Sequence, residues 1–305
     1  MSVTQAYEQM LFHPRWYHYP VILLLLPLSI LYGSWMLFRR ILAYKKDFGI
    51  PIVSIGNLIV GGSGKTPFVI ALASRYSDVA VISRGYGRKS NGLVEVSRRG
   101  KILVSVEQSG DEAMLMALSL PNASVIVSED RHEAIALAKG QGAKLIILDD
   151  GFNRVEIEKY EILLEPEEIK NPFPFPSGPF REFAFTKKYA DLVLKEKRDF
   201  ERVVSYGDPT SRMVLVTAIS NPKRLERYLP TGVVGKVYLK DHAYFEKEML
   251  ERLMQKYEAQ SLLVTQKDHV KMAGFKLPVS QIKLELKIKD EVFTKIERYI
   301  QTYHS

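Results

Sequence analysis

The chain has 305 residues, with 43 Lys and Arg against 35 Asp and Glu for a formal charge of +8, enough for one large or two medium domains with a sizeable core. It has no cysteine, which excludes disulfides, thiolate metal sites and a cysteine nucleophile. The basic balance favours anionic partners: phosphorylated substrates, anionic lipid or nucleic acid. Of these, nucleic acid is the weakest, because the sequence holds no zinc-finger spacing, RNP-like aromatic motif or long lysine tract.

Residues 21–38 (VILLLLPLSILYGSWMLF) carry no charge and, with Tyr19 and Pro20, are about long enough to cross a bilayer core. Trp16, Tyr17, Tyr19 and Trp35 suit an interfacial belt, and Arg39, Arg40, Lys45 and Lys46 then mark the cytoplasmic side by the positive-inside tendency. Three readings stand: a span, a hairpin or helix lying in one leaflet and broken near Pro27, and a buried core helix. From residue 50 the pattern alternates. Strands are expected at 50–55, 79–83, 101–106, 124–127, 144–148, 160–164 and 190–194, and helices at 68–76, 113–120 and 131–139. That rhythm predicts an α/β fold with a mainly parallel, P-loop NTPase-like sheet. Residues 171–180 (NPFPFPSGPF) read as a rigid connector or substrate-facing loop. The charged, turn-rich stretch 195–212 reads as a domain junction. A smaller α/β unit follows, with strands at 213–218, 233–239, 261–265 and 282–288 and helices at 222–228, 246–257 and 291–303. The expected domains are a membrane-attachment segment 1–45, a kinase-type core 46–205 and a C-terminal domain 206–305.

The stretch Val60-Gly61-Gly62-Ser63-Gly64-Lys65-Thr66-Pro67 lies between an expected strand and an expected helix, the arrangement that holds a nucleotide triphosphate. Its glycines let backbone N–H groups approach an anion, and the helix start adds a partial positive charge. Lys65 can neutralise β- and γ-phosphates and the Thr66 hydroxyl can ligate magnesium. The full phosphate-loop pattern wants glycine at position 59, which is Ile59 here, so an ordinary glycine-rich turn is the competing reading. Asp149-Asp150-Gly151, at the end of a buried strand, is the natural acidic partner of magnesium; alone it would be a solvated turn. Asp111 and Glu112 open another helix. They either stabilise its N-terminus or supply a base and a metal-side carboxylate near the γ-phosphate. His242, with Asp241 beside it, follows a strand of the smaller unit, where spacing alone gives a histidine no special role. Arg84-Gly85-Tyr86-Gly87-Arg88 ends the strand 79–83 on what should be the rim of the phosphate loop.

GNLIVGGSGKTP, SRGYGRK, SGDE, DDGF, PSGPFRE, KDHAYF and TQKD occur in this order, and the set resembles the tetraacyldisaccharide 4'-kinase family of lipid A biosynthesis. The resemblance runs from the apolar segment to about Lys271. It implies a magnesium-dependent kinase that moves the γ-phosphate of ATP to the 4'-hydroxyl of a tetraacylated glucosamine disaccharide 1-phosphate. The expected location is the cytoplasmic face of the bacterial inner membrane, on an anionic lipid surface, with no nucleic-acid or protein partner implied. By the resemblance Gly61, Gly62, Ser63, Gly64, Lys65 and Thr66 hold ATP. Thr66, Asp149, Asp150 and Glu112 form the magnesium side. Asp111 matches the proposed base and His242 the histidine that pairs with it across two domains. Arg84, Asn153, Arg181 and Glu182 face the acceptor, Arg84 toward its anomeric phosphate. The chain departs from the family at Asn153-Arg154 (usually Gln-His), at Phe183 (usually Pro) and at Gln266 (usually Glu). The alternatives are a membrane-associated switch or assembly P-loop NTPase and a nucleotide-binding adaptor that would not need the carboxylates. A guanine-specific switch should carry Asn-Lys-x-Asp, which Thr265-Gln266-Lys267-Asp268 lacks.

Overall fold

The computed structural model describes residues 3–60, 64–166 and 169–303. The chain opens with α1 (Val3–Phe12), a 3-10 turn and α2 (Tyr19–Leu42). Then come β1 (Ile52–Gly56), α3 (Lys65–Ala73), β2 (Val79–Ser83), β3 (Val94–Arg98), β4 (Lys101–Ile102), α4 (Val106–Ser109), α5 (Asp111–Ser119), β5 (Ser124–Val127), α6 (Arg131–Gly140), β6 (Leu145–Asp149), β7 (Tyr160–Glu165) and β8 (Leu192–Lys195). The remainder is β9 (Phe200–Gly207), β10 (Met213–Thr217), β11 (Val233–Tyr238), α7 (Lys247–Lys256), β12 (Ser261–Thr265), α8 (Gln266–His269), β13 (Val279–Ile288) and α9 (Asp290–Gln301).

The strands form an eight-stranded sheet, ordered β4-β3-β5-β2-β6-β1-β7-β8, and a five-stranded one, ordered β11-β10-β12-β13-β9. In the larger sheet β1 runs parallel to β6 and β7, β7 to β8, and β2 to β5, while β3 is antiparallel to β4 and β5. The architecture is the expected α/β fold: a mainly parallel P-loop-type sheet, a second smaller sheet and one apolar N-terminal helix. The chain forms two compact units interleaved in sequence. One comprises residues 1–65, 145–200 and 288–305, the other 66–144 and 201–287.

In the first unit every residue of β1 and β6 is buried, as expected of strands covered on both faces. Helix α9 falls in this unit too. The Tyr299 hydroxyl donates to the Ile52 carbonyl (3.1 Å) and accepts from the Ile52 N–H (3.2 Å). Helix α2 runs through Pro27 without interruption. Strong apolar helix formers on both sides carry the helix past one lost hydrogen bond. By length and composition it can cross a bilayer. Its buried residues are Ile22, Ser29 and Gly33, at helical spacing on one narrow stripe, while most of its other large apolar side chains face outward. The stripe docks on the proline-rich segment. The Ser29 hydroxyl donates to Ser177 Oγ (2.7 Å) and accepts from the Ser177 N–H (2.8 Å), and a Cβ on Gly33 would sit 2.7 Å from the Phe183 ring. That segment is therefore a seat for α2, a role that its reading as a rigid connector or substrate-facing loop does not include.

In the second unit β10 and β12 are covered on both faces. Val214, Val216, Leu262 and Val264 pack with Phe245 and Leu250, and Met213, Leu215 and Leu263 with Ile282. Two expectations are corrected here. Residues 200–207, within the expected junction, form β9 at the edge of the small sheet. An edge strand tolerates the charges that made FERVVSYG look like a loop. The expected strand 101–106 stops at Ile102. Ser105 and Gln108 then form a reciprocal capping box that starts α4.

Candidate active site

One part of the site grows from the end of β1 to Lys65, the last residue of that segment of the first unit and the first of α3. Gly64 takes φ 78°, open to glycine at little steric cost, and hands the chain to Lys65, the first residue of α3, with Thr66 second. Gly61, Gly62 and Ser63 lie outside the described residues. The Lys65 ammonium donates to Asn57 Oδ1 (3.1 Å) and lies 3.4 Å from Asp150 Oδ1. Arg181 reaches both oxygens of the same carboxylate from Nη1, at 2.9 and 2.8 Å. Burial alone would raise the Asp150 pKa; the charges of Lys65 and Arg181 outweigh it and hold the carboxyl below its ordinary value. Asp150 sits at φ 55°, a left-handed conformation unusual for a residue with a side chain. Next to it Gly151 leaves no room for a side chain: a Cβ would stand 2.6 Å from Ser54 Oγ. Asp149 is the buried last residue of β6.

Glu182 is 2% exposed, and Arg40 at the end of α2 grips both its oxygens, from Nε (2.9 Å) and Nη2 (2.7 Å). The Arg40 guanidinium also donates to the Phe152 carbonyl (3.0 Å) and lies 4.1 Å from the centre of the Phe152 ring. Asn153 offers its backbone carbonyl to Arg39.

The second unit holds the other predicted carboxylate. Gly110 at φ 83° leads into α5, whose first residue is Asp111, 5% exposed. His242 Nδ1 lies 3.1 Å from each Asp111 oxygen. Both residues fall in the second compact unit. His242 is held at φ 59°, with its N–H bonded to the Ala218 carbonyl and its ring 5.2 Å from that of Tyr86. The Lys267 ammonium lies 3.7 Å from Asp111 Oδ2 and 3.1 Å from Glu112 Oε1. Lys271, whose side chain is 1% exposed, lies 3.8 Å from Asp111 Oδ2 and 3.2 Å from Asp268 Oδ1. Asp268 in turn accepts from the Thr217 and Thr265 hydroxyls and the Ala218 N–H. Burial pushes the Asp111 pKa up, but the His242 hydrogen bond and the two lysines outweigh it and keep it low. The hydrogen bond to Asp111 raises His242 above its ordinary value. Arg84 is exposed just past the end of β2.

The pattern thus led to Lys65, Asp150 and Arg181 in one cluster and Asp111, Glu112 and His242 in another. It gave no role in the site to Asn57, Arg40, Lys267 or Lys271. Asn57 and Lys267 lay inside the quoted motifs, whereas Arg40 read as a flanking charge and Lys271 carried no signal.

A strand, a Gly-Lys-Thr turn at a helix start and an acidic strand end define a phosphate-loop α/β protein with a second carboxylate–histidine centre. The family profile for tetraacyldisaccharide-1-P 4'-kinase matches residues 21–206 and 204–301. The tetraacyldisaccharide 4'-kinase of Helicobacter acinonychis is 49% identical over 297 residues, covering 97% of this chain and 95% of its own. Those of Aliarcobacter butzleri (45%, 97% of both chains) and Campylobacter jejuni (40%, 99% of both) are also similar. The crystal structure of "apo" form LpxK from Aquifex aeolicus in complex with ATP superposes with a TM-score of 0.78 at 27% identity, over 92% of this chain and 99% of that one. The chain belongs to the tetraacyldisaccharide 4'-kinase family, kinases of lipid A biosynthesis.

Proposed function

We propose that this kinase transfers the γ-phosphoryl group of ATP to the 4'-hydroxyl of a tetraacylated glucosamine disaccharide 1-phosphate, on the cytoplasmic face of the bacterial inner membrane. The observation that carries the reading is the buried Asp111 carboxylate, held by His242 through both oxygens. In this reading Asp111 accepts the acceptor's hydroxyl proton. The bond from that oxygen to the γ-phosphorus forms as the β–γ bridging bond breaks, and ADP leaves. The favourable charge of His242 and the lysines keeps Asp111 ionised and ready for the proton. Lys65, on the N-terminal turn of α3, neutralises the donor phosphates, and Arg181 steadies the Asp150 loop.

The donor set suits magnesium. Among the described residues no cluster of three carboxylate or histidine groups is already assembled for a metal. Magnesium needs none, since it takes one or two carboxylates and completes its shell with phosphates and water. Thr66, Asp149 and Asp150 would hold it, with Glu112 as a further candidate, and it would supply charge neutralisation at the transferring group. The exposed apolar face of α2 and the positive charge beyond it support attachment to an anionic bilayer surface. In this reading Arg84 and Asn153 bind the acceptor.

ATP turnover with and without the lipid disaccharide tests the reading. The parent should turn over only with the lipid. Lys65→Ala and Thr66→Ala should lose most of that turnover, and Asp111→Asn roughly 10²-fold of kcat or more. Lipid-independent ATP hydrolysis at the parent rate would instead favour a switch NTPase.

A further inference from the structure

Helix α2 ends in a device that an anchor does not need. Its buried stripe, Ile22, Ser29 and Gly33, is continued by Arg40, at steps of seven, four and seven residues. The Arg40 side chain is 7% exposed, although Phe38, Ile41 and Leu42 around it are all more than half exposed. A cation that merely marks a membrane edge extends into water and headgroups. This one is desolvated, forked onto Glu182, bonded to the Phe152 carbonyl and stacked on the Phe152 ring. Its two grips fall one and two residues from the pair that meets in the site: Glu182 follows Arg181, and Phe152 lies two past Asp150. Arg181 and Asp150 are themselves bonded. The Arg40 fork and the Arg181–Asp150 pair therefore tie the same two loops together at neighbouring positions.

We infer that Arg40 is a positioning residue for the phosphoryl-transfer reaction. It clamps the 150–153 and 181–182 loops at the geometry in which Asp150 and Arg181 work, so the helix that meets the membrane is also a strut of the catalytic centre. The inference rests on the roles given above to Asp150 and Arg181. Removing the fork leaves a buried carboxylate at Glu182 without its partner, and frees two loops whose placement within about an ångström governs turnover.

The test uses the full-length chain with ATP and the lipid disaccharide in mixed micelles, with rates referred to folded protein measured by circular dichroism. Arg40→Gln should lower kcat about tenfold or more, with the KM for ATP within about twofold of the parent. Flotation with vesicles of phosphatidylethanolamine and phosphatidylglycerol should be unchanged, because the apolar face of α2 is intact. Arg40→Lys keeps the charge but loses the fork and should recover less than half of the lost kcat. The Arg40→Gln, Glu182→Gln double variant should fall within about twofold of the worse single variant, since the two act as one unit. Parent-like kcat in Arg40→Gln overturns the inference, as does a loss that disappears on referral to folded protein or tracks a loss of flotation. Lys65→Ala run alongside separates the two claims. If it retains turnover, the reading of the site fails; if it is inactive while Arg40→Gln is normal, only the strut fails.

Discussion

At the scale of single residues, the site holds side chains charged in places that disfavour charge. Asp111 and His242 hold each other in their ionised forms: the shared hydrogen bond raises the histidine, and that bond with the lysines lowers the carboxyl against its burial. The histidine's share of stability is therefore full below about pH 6.5 and is lost as pH rises through its raised value. The carboxylate's share is present above about pH 3.9 and is lost as pH falls through its lowered value. His242→Asn, which tolerates the left-handed backbone, should accordingly widen its Tm gap from the parent most between about pH 5 and 6 and narrow it above about pH 7. A gap flat from pH 5 to 9 would count against the ion pair. Arg84, exposed beyond β2, has a different expected signature. Arg84→Ala should raise the apparent KM for the lipid roughly tenfold while that for ATP stays fixed, and lysine should rescue only partly. An equal rise for ATP would return Arg84 to the solvent. That Lys65 and Asp150 come together was legible in the sequence, because near neighbours, Thr66 and Gly151, mark both. Arg40 and Lys271 were not, because what defines them is a partner more than a hundred positions away.

At the scale of elements, buried strands wrote themselves plainly. Strands β2, β5 and β12 have the expected bounds, because runs such as VAVIS and SLLVT leave no helical alternative of that length. Strand β9 was hidden by edge charges, and α4 by a capping box inside what looked like a strand. Helix α2 was legible as an apolar run, but its docking stripe was not. Serine and glycine inside such a run look incidental until their partners are seen. Ser29→Ala removes the acceptor of the buried Ser177 N–H and should lower unfolding free energy by about 1–3 kcal/mol. Denaturant titration in micelles measures this, and a change under about 0.3 kcal/mol would mean that water replaces the hydroxyl.

At the scale of the whole molecule, the N-terminal segment is part of the packed fold and, on the proposed reading, also the attachment to the membrane. Deleting residues 1–42 should abolish flotation with phosphatidylglycerol vesicles and also lower Tm, because Ser177, Glu182 and the Phe152 carbonyl all lose partners. Full flotation of the folded remainder would argue against the membrane role, and an unchanged Tm against the structural one. The interleaving of the first unit along the chain also sets the order in which a ribosome can complete it. Ser29 emerges 148 residues ahead of Ser177, and Ile52 emerges 247 residues ahead of Tyr299. At ordinary elongation rates those gaps last on the order of ten seconds or more. The nascent α2 is thus made long before its protein seat exists, and the start of β1 at Ile52 gains its Tyr299 partner only once α9 is made. Early capture of α2 by lipid would keep its apolar face from other nascent chains. A stop introduced shortly before residue 290 removes α9 and its contact with Ile52, and its product should pellet on centrifugation rather than stay folded in solution.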